Sequence, residues 1–288
     1  MTEATIGVIG GSGLYAMPGL ADVEQVALQT PFGSPSDTYV VGTLGGQRVA
    51  FLPRHGLGHR LTPSEVPSRA NIFGFKQLGV KALIAVSAVG SLREDYAPGQ
   101  LVVPTQLFDR TKGIRPASFF GEGIVAHVPF DKPFDPALSA ILFEAAQRAG
   151  AAVHFGGTYT CMEGPQFSTL AESEENRRAG FDLVGMTALP EAKLAREAEI
   201  PYAMFAMVTD YDCWHPSHDA VTVEMVVATM HKNTAAAQQS IAQAIPAIAA
   251  GFDSPAYHAL AGAIMTAPEA IPAERRQALA LLVGKYLG

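Results

Sequence analysis

The sequence predicts a single α/β domain: a mixed, mostly parallel β-sheet flanked by helices. Three observations predict it. Strand-like runs alternate with helix-like runs along the chain. Several of the strand-like runs are apolar on both faces, as in strands covered from both sides. Local capping signals mark where helices begin.

Taken in order, "TIGVIG" (5–10), "TYVVGTL" (38–44), "RVAFLP" (48–53) and "KALIAVSAVG" (81–90) read as strands. They are rich in Val and Ile and bounded by Gly or Pro. "GQLVVPTQL" (99–107), "VHFGGTYTCM" (153–162), "FDLVGM" (181–186) and "PYAMFAMVTD" (201–210) continue the series. Asp135-Pro136 is an N-cap followed by Pro at the first helical position. Thr169-x-x-Glu172 fits a capping box, and Thr62-x-x-Glu65 is a second candidate with Pro63 and Pro67 close by. The Ala-rich stretch 220–250, broken only by Pro246, reads as a helix. "PAERRQALALLVGKYL" (272–287) is amphipathic and reads as a helical tail, packed on the domain or on a neighbouring subunit.

Composition narrows the function. With 288 residues, 48% of them hydrophobic, the chain can bury a sizeable core. A net charge of −7 speaks against nucleic acid as a partner. No run of 18 apolar residues is present, so no membrane span is expected. The polar Thr2-Glu3 start leads directly into a strand, so no signal peptide is expected either. The two cysteines, Cys161 and Cys213, are too few for a disulfide scaffold and suggest a reduced, cytoplasmic setting. No period of 20 to 50 residues is present.

The candidate chemistry lies where strands end. "GVIGGSGLY" (7–15) fails the dinucleotide pattern, because position 16 is Ala16. It also lacks the lysine of a phosphate loop, and Leu14 stands where a hydrolase elbow needs Gly. What remains is either a turn whose N–H groups and Ser12 hydroxyl surround an anion, or a plain strand-to-helix turn. "LPRHGLGHR" (52–60) delivers Arg54 and His55 together, with a guanidinium fork suited to phosphate. Gly56 and Gly58 speak against a helix that would let His55 and His59 share a metal, and no third ligand is evident. Ser87 and Ala88 end a further strand with a hydroxyl and backbone N–H groups. Met186-Thr187 ends another, where Thr187 either caps the next helix or meets an anion at its N-terminus. In an open α/β sheet the carboxyl ends of strands are where ligands sit, so these four ends converge on one expectation, an anion site. Asp210 and Asp212 close the series. Two apart in an extended chain, they can face one way. Such a pair suits a metal, a general acid or recognition of a base, or it forms a simple Asx turn. Burial beside apolar neighbours would raise at least one of their pKa values.

Together these segments resemble the S-methyl-5'-thioadenosine phosphorylase family, in the trimeric branch of the purine nucleoside phosphorylases. The match is carried by "GVIGGSGLY", "PRHG" with His59, "RANI", "SAVGSLRE", "FDRT", "EGPQFST", "GMTALPEA", "LAREA" and "TDYDCW", across residues 5 to 225. The resemblance implies the nucleoside phosphorylase fold, with a catalytic domain over 1–250 and the tail over 251–288. It implies that Ser12, Arg54, His55, Ser87, Ala88 and Thr187 line a phosphate site. It places Met186 over the ribose, Phe167 and Ser168 near the base, Asp210 and Asp212 on the purine, and Val223 near the 5' pocket. Relatives that act on 6-oxopurines carry Glu in place of Ser168 and Asn in place of Asp210. That contrast is physical: a carboxylate accepts from a 6-amino group and repels a 6-oxo group. Ser12 and Ser87 stand where many members carry Thr, and Pro67-Ser68 stand where many read Asn-Tyr.

The implied reaction is reversible phosphorolysis of S-methyl-5'-thioadenosine, with phosphate as co-substrate, Asp210 and Asp212 catalytic, and no metal, flavin or nicotinamide. A homotrimer without nucleic-acid or membrane partners is implied as well. The alternatives are a 6-oxopurine or methylthioinosine phosphorylase, a hydrolase using water, and a nucleoside-binding protein without activity.

Overall fold

The computed structural model describes residues 3–11, 13–14, 16–216 and 222–287, apart from the side chains of residues 228, 231 and 232. Eleven strands among them form one mixed sheet. Its middle is four parallel strands: β4 (Gln47–Pro53), β1 (Ile6–Gly10), β5 (Ala82–Ser91) and β11 (Tyr202–Asp210). Beside β4 runs an antiparallel meander of β3 (Tyr39–Leu44) and β2 (Ala21–Val26). Beside β11 lies β6 (Leu101–Val103), antiparallel, followed by β8 (Val153–Phe155). The long β5 also pairs through Gly90 and Ser91 with β10 (Leu183–Gly185), which continues into β9 (Thr158–Met162) and β7 (Gln106–Arg110).

The middle strands are mostly apolar on both sides because both faces are covered. Alternate residues of β5 point oppositely: Leu83 and Ala85 join one core, Ile84 and Val86 the other. The first core contains α1 (Ser68–Gln77) and α4 (Ala188–Glu197), and the second contains α2 (Pro136–Arg148) and α5 (Val223–Ala249). Register sets Gly10 opposite Pro53 and Asp210 opposite Gly90; Ser87 and Ala88, expected to end their strand, lie inside β5, which pairs with β11 as far as Gly90.

Three expectations are corrected. The runs 99–107 and 153–162 are each two strands. Pro104 lacks the N–H a ladder needs, and Gly156 and Gly157 both take positive φ. The Thr62–Glu65 pair closes a turn, Glu65 Oε2 accepting from the Thr62 N–H at 2.9 Å, and α1 begins only after Pro67. The tail forms two short helices, α6 (Ala273–Ala278) and α7 (Ala280–Leu287), meeting at Leu279. The mostly exposed strand β2, "ADVEQV", carries no apolar alternation and escapes sequence reading. The capping signals at Asp135 and Thr169 behave as read. Asp135 accepts from the Leu138 N–H at 2.9 Å, and Thr169 with Glu172 forms a reciprocal capping box on α3 (Leu170–Arg178). The tail rests on the domain: Leu279, Leu282 and Val283 are buried in the first core, and Lys285 pairs with Glu199 at 2.6 Å.

Candidate active site

The arginine corner forms where β4 and β1 end, beside Ser87 within β5. Arg54 follows β4 directly, its N–H bound to the Gly10 carbonyl at 2.9 Å. Its guanidinium faces Glu191 of α4 in a two-pronged pair, Nε to Oε2 at 2.8 Å and Nη2 to Oε1 at 3.0 Å. The carbonyls of Val86 and Ile9 accept two more bonds, at 3.0 and 3.2 Å. Four of the five N–H groups thus have protein partners, and one N–H of Nη1 is left for a ligand. Both side chains are only 3% exposed. Burial works against the charge on Arg54, but Glu191 more than offsets it and raises the guanidinium pKa. The Tyr202 hydroxyl donates to Glu191 at 2.8 Å and holds the carboxylate from behind.

His55 comes next. Its Nδ1 lies 2.8 Å from the Leu61 carbonyl, so that nitrogen carries the proton and donates. Its ring stacks on His59, centroids 4.3 Å apart, in a turn where Gly56, Gly58 and His59 all take positive φ. Burial, then the neighbouring Arg54 charge, pushes the imidazole pKa down to about 4. His55 is therefore neutral at pH 7 and keeps a free Nε2 lone pair.

Ser87 and Thr187 are brought together, hydroxyl to hydroxyl, at 2.9 Å. Ser87 donates onward to the Ala88 carbonyl at 3.2 Å, so Thr187 is the donor of the pair. Thr187 makes no side-chain cap on α4, so the capping reading of that residue does not hold, and its hydroxyl bonds Ser87 instead. Ser12 lies outside the described residues. A small cavity of about 10 Å³, room for a single water, is lined by Arg54, Ser68, Arg115, Thr187 and Glu191 among others.

The carboxylate corner is built at the end of β11. Asp210 and Asp212 are both buried. Asp210 Oδ1 accepts from the Asp212 N–H at 2.8 Å, and Thr209 Oγ1 lies 2.6 Å from Asp210 Oδ2 and 3.2 Å from the Val89 carbonyl. The Thr209 hydroxyl donates to this carboxylate, with the Val89 carbonyl as its alternative acceptor. Burial raises the pKa of Asp210, with Thr209 and the Asp212 N–H pulling the other way. Burial likewise raises Asp212, which the hydroxyls of Ser173 and Ser168 partly offset. Asp212 sits at φ +50°, a strained conformation for a residue with a side chain, and its Oδ2 is buried without a partner. The buried Ser173 hydroxyl, which lowers the Asp212 pKa, is likewise without a hydrogen bond. Gly90 makes room for the pair: a Cβ there would lie 3.0 Å from Asp210 Oδ1 and 3.3 Å from the Asp212 Cβ.

Ser168 lies beside this corner, its carbonyl accepting from the Cys213 thiol at 3.4 Å. Met186 packs over Gly164, where any Cβ would collide with the Met186 sulfur. Phe167 and Val223 are not drawn in. They are 44% and 67% exposed, respectively, on the single chain. Among the described residues no cluster of His, Cys, Asp or Glu could hold a metal, and no helix is long and apolar enough to cross a membrane.

Three residues of this site escaped sequence reading. Glu191 lies in "TALPEA", which reads only as a helix start, and Thr209 reads as one more strand residue. Gly90 reads as a strand boundary. A lone acid inside an otherwise apolar helix face was the one signal that could have singled out Glu191.

This geometry meets its class in the comparisons. The chain belongs to the phosphorylase superfamily, whose family model matches residues 5–246. A relative from Chloroflexus aurantiacus, named S-methyl-5'-thioadenosine phosphorylase, is 66% identical over 99% of both chains. One of the same name from Koribacter versatilis is 55% identical over 99% of this chain and 98% of its own. Within the superfamily, then, the chain falls in the S-methyl-5'-thioadenosine phosphorylase family. Among solved structures, a methylthioadenosine phosphorylase from an Antarctic soil metagenomic library superposes with a TM-score of 0.94 at 50% identity, covering 98% of this chain and 99% of that one. The Schistosoma mansoni methylthioadenosine phosphorylase in complex with adenine gives 0.83 at 37% identity, covering 87% of this chain and 93% of its own.

Proposed function

We propose that the protein catalyses reversible phosphorolysis of S-methyl-5'-thioadenosine, yielding adenine and 5-methylthioribose 1-phosphate. The observation that carries this reading is the buried Asp210–Asp212 pair with the unpartnered Asp212 Oδ2. It offers acceptors to a 6-amino purine, and a protonated Asp210 offers a donor to the ring nitrogen.

A phosphate oxygen attacks C1' of the ribose as the bond from C1' to N9 breaks, and the electron pair leaves with adenine. The transition state resembles an oxocarbenium ion. Phosphate is held by the free Arg54 N–H, by the Ala88 N–H, by the hydroxyls of Ser12, Ser87 and Thr187, the last two turning away from the bonds they make in the free site, and by His55, whose Nε2 accepts from the phosphate P–OH. Because Glu191 already balances Arg54 and His55 is neutral, the phosphate charge stays available to stabilise the cationic sugar. Asp210 delivers its proton to N7 of the leaving base, and Asp212 orients the purine. Met186 covers the ribose, with Phe167 and Ser168 beside the base and Val223 toward the 5' group. These steps use inorganic phosphate as co-substrate and no cofactor. In the same reading residues 1–250 are the catalytic unit braced by the tail 251–288, and the protein works in the cytoplasm as a homotrimer.

The test is purified protein with methylthioadenosine, adenosine, inosine and methylthioinosine, each with and without phosphate. Adenine release from methylthioadenosine only when phosphate is present is the expected result. Release without phosphate, or faster turnover of the 6-oxo nucleosides, overturns the reading.

A further inference from the structure

An arginine outside all of these roles ties the site together. Arg115, in the segment after β7, is only 7% exposed. Every N–H it carries has an acceptor. Nε donates to Glu163 Oε1 at 2.7 Å and leans on the Ser64 hydroxyl at 3.3 Å. Nη1 donates to the carbonyls of Met186 and Leu189 at 2.6 and 2.7 Å. Nη2 donates to the Glu163 carbonyl and reaches that of Met162 at 3.5 Å. Glu163 in turn accepts from the Lys112 N–H at 2.6 Å and from the Ser64 hydroxyl. Four separate stretches meet on this one pair: the segment after His55, the segment after β7, the turn at 162–164 and the turn at 186–189.

The 186–189 turn needs such a partner for a local reason. In a helix the Met186 carbonyl would accept from the residue four further on. That residue is Pro190, which has no N–H. Leu189 is extended, at φ −116° and ψ 138°, so α4 is not continuous through this turn. Arg115 supplies donors that the backbone cannot. The same turn is packed against Gly164, which leaves space for the Met186 sulfur.

We infer that Arg115, gripped by Glu163, is a positioning residue that sets the Met186–Thr187 turn against the 162–164 turn. In doing so it sets the sugar contact and the phosphate hydroxyl relative to each other. The inference rests on the reading of Met186 and Thr187 as sugar and phosphate contacts. Lysine has a single ammonium and cannot span these acceptors. Glu163→Gln keeps one acceptor oxygen, removes the charge and replaces the other acceptor with an NH2 group.

The test compares wild type with Arg115→Lys and Glu163→Gln. It reads kcat, KM for phosphate, KM for methylthioadenosine, melting temperature and hydrogen exchange of the 186–189 amides. In Arg115→Lys, kcat/KM for phosphate is expected to fall about 100-fold, as expected for a misplaced contact. The methylthioadenosine KM should stay within about twofold, and exchange at 186–189 should quicken. Glu163→Gln should lose about tenfold. A lower melting temperature with kcat and both KM values at wild-type levels would mean that Arg115 only holds the fold, and overturns the inference. Should the wild-type protein itself release no adenine with phosphate, the functional reading falls and exchange alone decides. Quicker exchange confined to 186–189 and 162–164 then supports the positioning role, and unchanged exchange refutes it.

Discussion

Arg54 and Asp210 stand at the carboxyl ends of neighbouring parts of one sheet, yet their surroundings treat charge in opposite ways. Around Arg54 the protein supplies a counter-charge, a hydroxyl on that counter-charge and two carbonyls. Around Asp210 and Asp212 it supplies burial, weak hydroxyl donors and no cation among the interactions that shift them. In the first corner the Arg54 charge is already balanced, with one N–H left over. The second is left short of one donor. The difference fits the two jobs proposed for these corners: a dianion must keep its charge for the sugar, whereas a leaving base must be given a proton.

The comparison is broken most directly at Asp210. Asp210→Ala is expected to lower kcat by about 10² to 10⁴, the range for a lost general acid, in a continuous assay of adenine release. Turnover at the wild-type rate would remove the carboxylate corner from the chemistry. The opposite corner is probed through stability. Glu191→Ala strands the Arg54 charge in the interior and should cost about 3–5 kcal/mol of unfolding free energy in urea titrations. The double variant Arg54→Met with Glu191→Leu should recover most of that loss. A cost under about 1 kcal/mol for Glu191→Ala would show that the pair is not what holds this corner.

A smaller effect is the opposite pH response of the two corners. His55 has a folded pKa of about 4 against an ordinary 6.5, so between those values the unfolded chain takes up a proton that the folded chain refuses. Its contribution is present above pH 6.5 and is lost as pH falls toward 4, at most about 3 kcal/mol. Asp210 and Asp212 have raised pKa values, so the folded chain holds their protons longer than the unfolded chain does. Their contribution is present at low pH and is lost as pH rises through the raised values. Urea unfolding across pH 4 to 7 separates the two. His55→Gln should flatten the acid-side loss, and Asp210→Asn should remove the opposing trend. A His55→Gln curve parallel to wild type would show that the imidazole is not held neutral by its surroundings.

Much of this was legible in the chain itself. Apolar strand runs, the caps at Asp135 and Thr169 and the polar residues at strand ends are local features, governed by backbone sterics, side-chain reach and periodicity. They announce an α/β sheet and name Arg54, His55, Ser87, Thr187, Asp210 and Asp212 before any folding is considered. Local signals also misled where they were incomplete. A Thr–Glu spacing looked like a helix start although Pro67 delays the helix, and Pro104 divided a run that hydropathy alone would join.

What only the tertiary structure decided is which charges meet. Glu191 is 137 residues from Arg54, and Glu163 is 48 from Arg115. No spacing rule reaches that far, because such pairs are set by how α4 and the long loops fold over the sheet edge. The same holds for proton affinity. The sequence by itself determined that two aspartates follow one strand; burial above Gly90, with one oxygen left without a partner, decided what they can do. Desolvation belongs to the packed interior, and a pKa follows from it only once the packing exists.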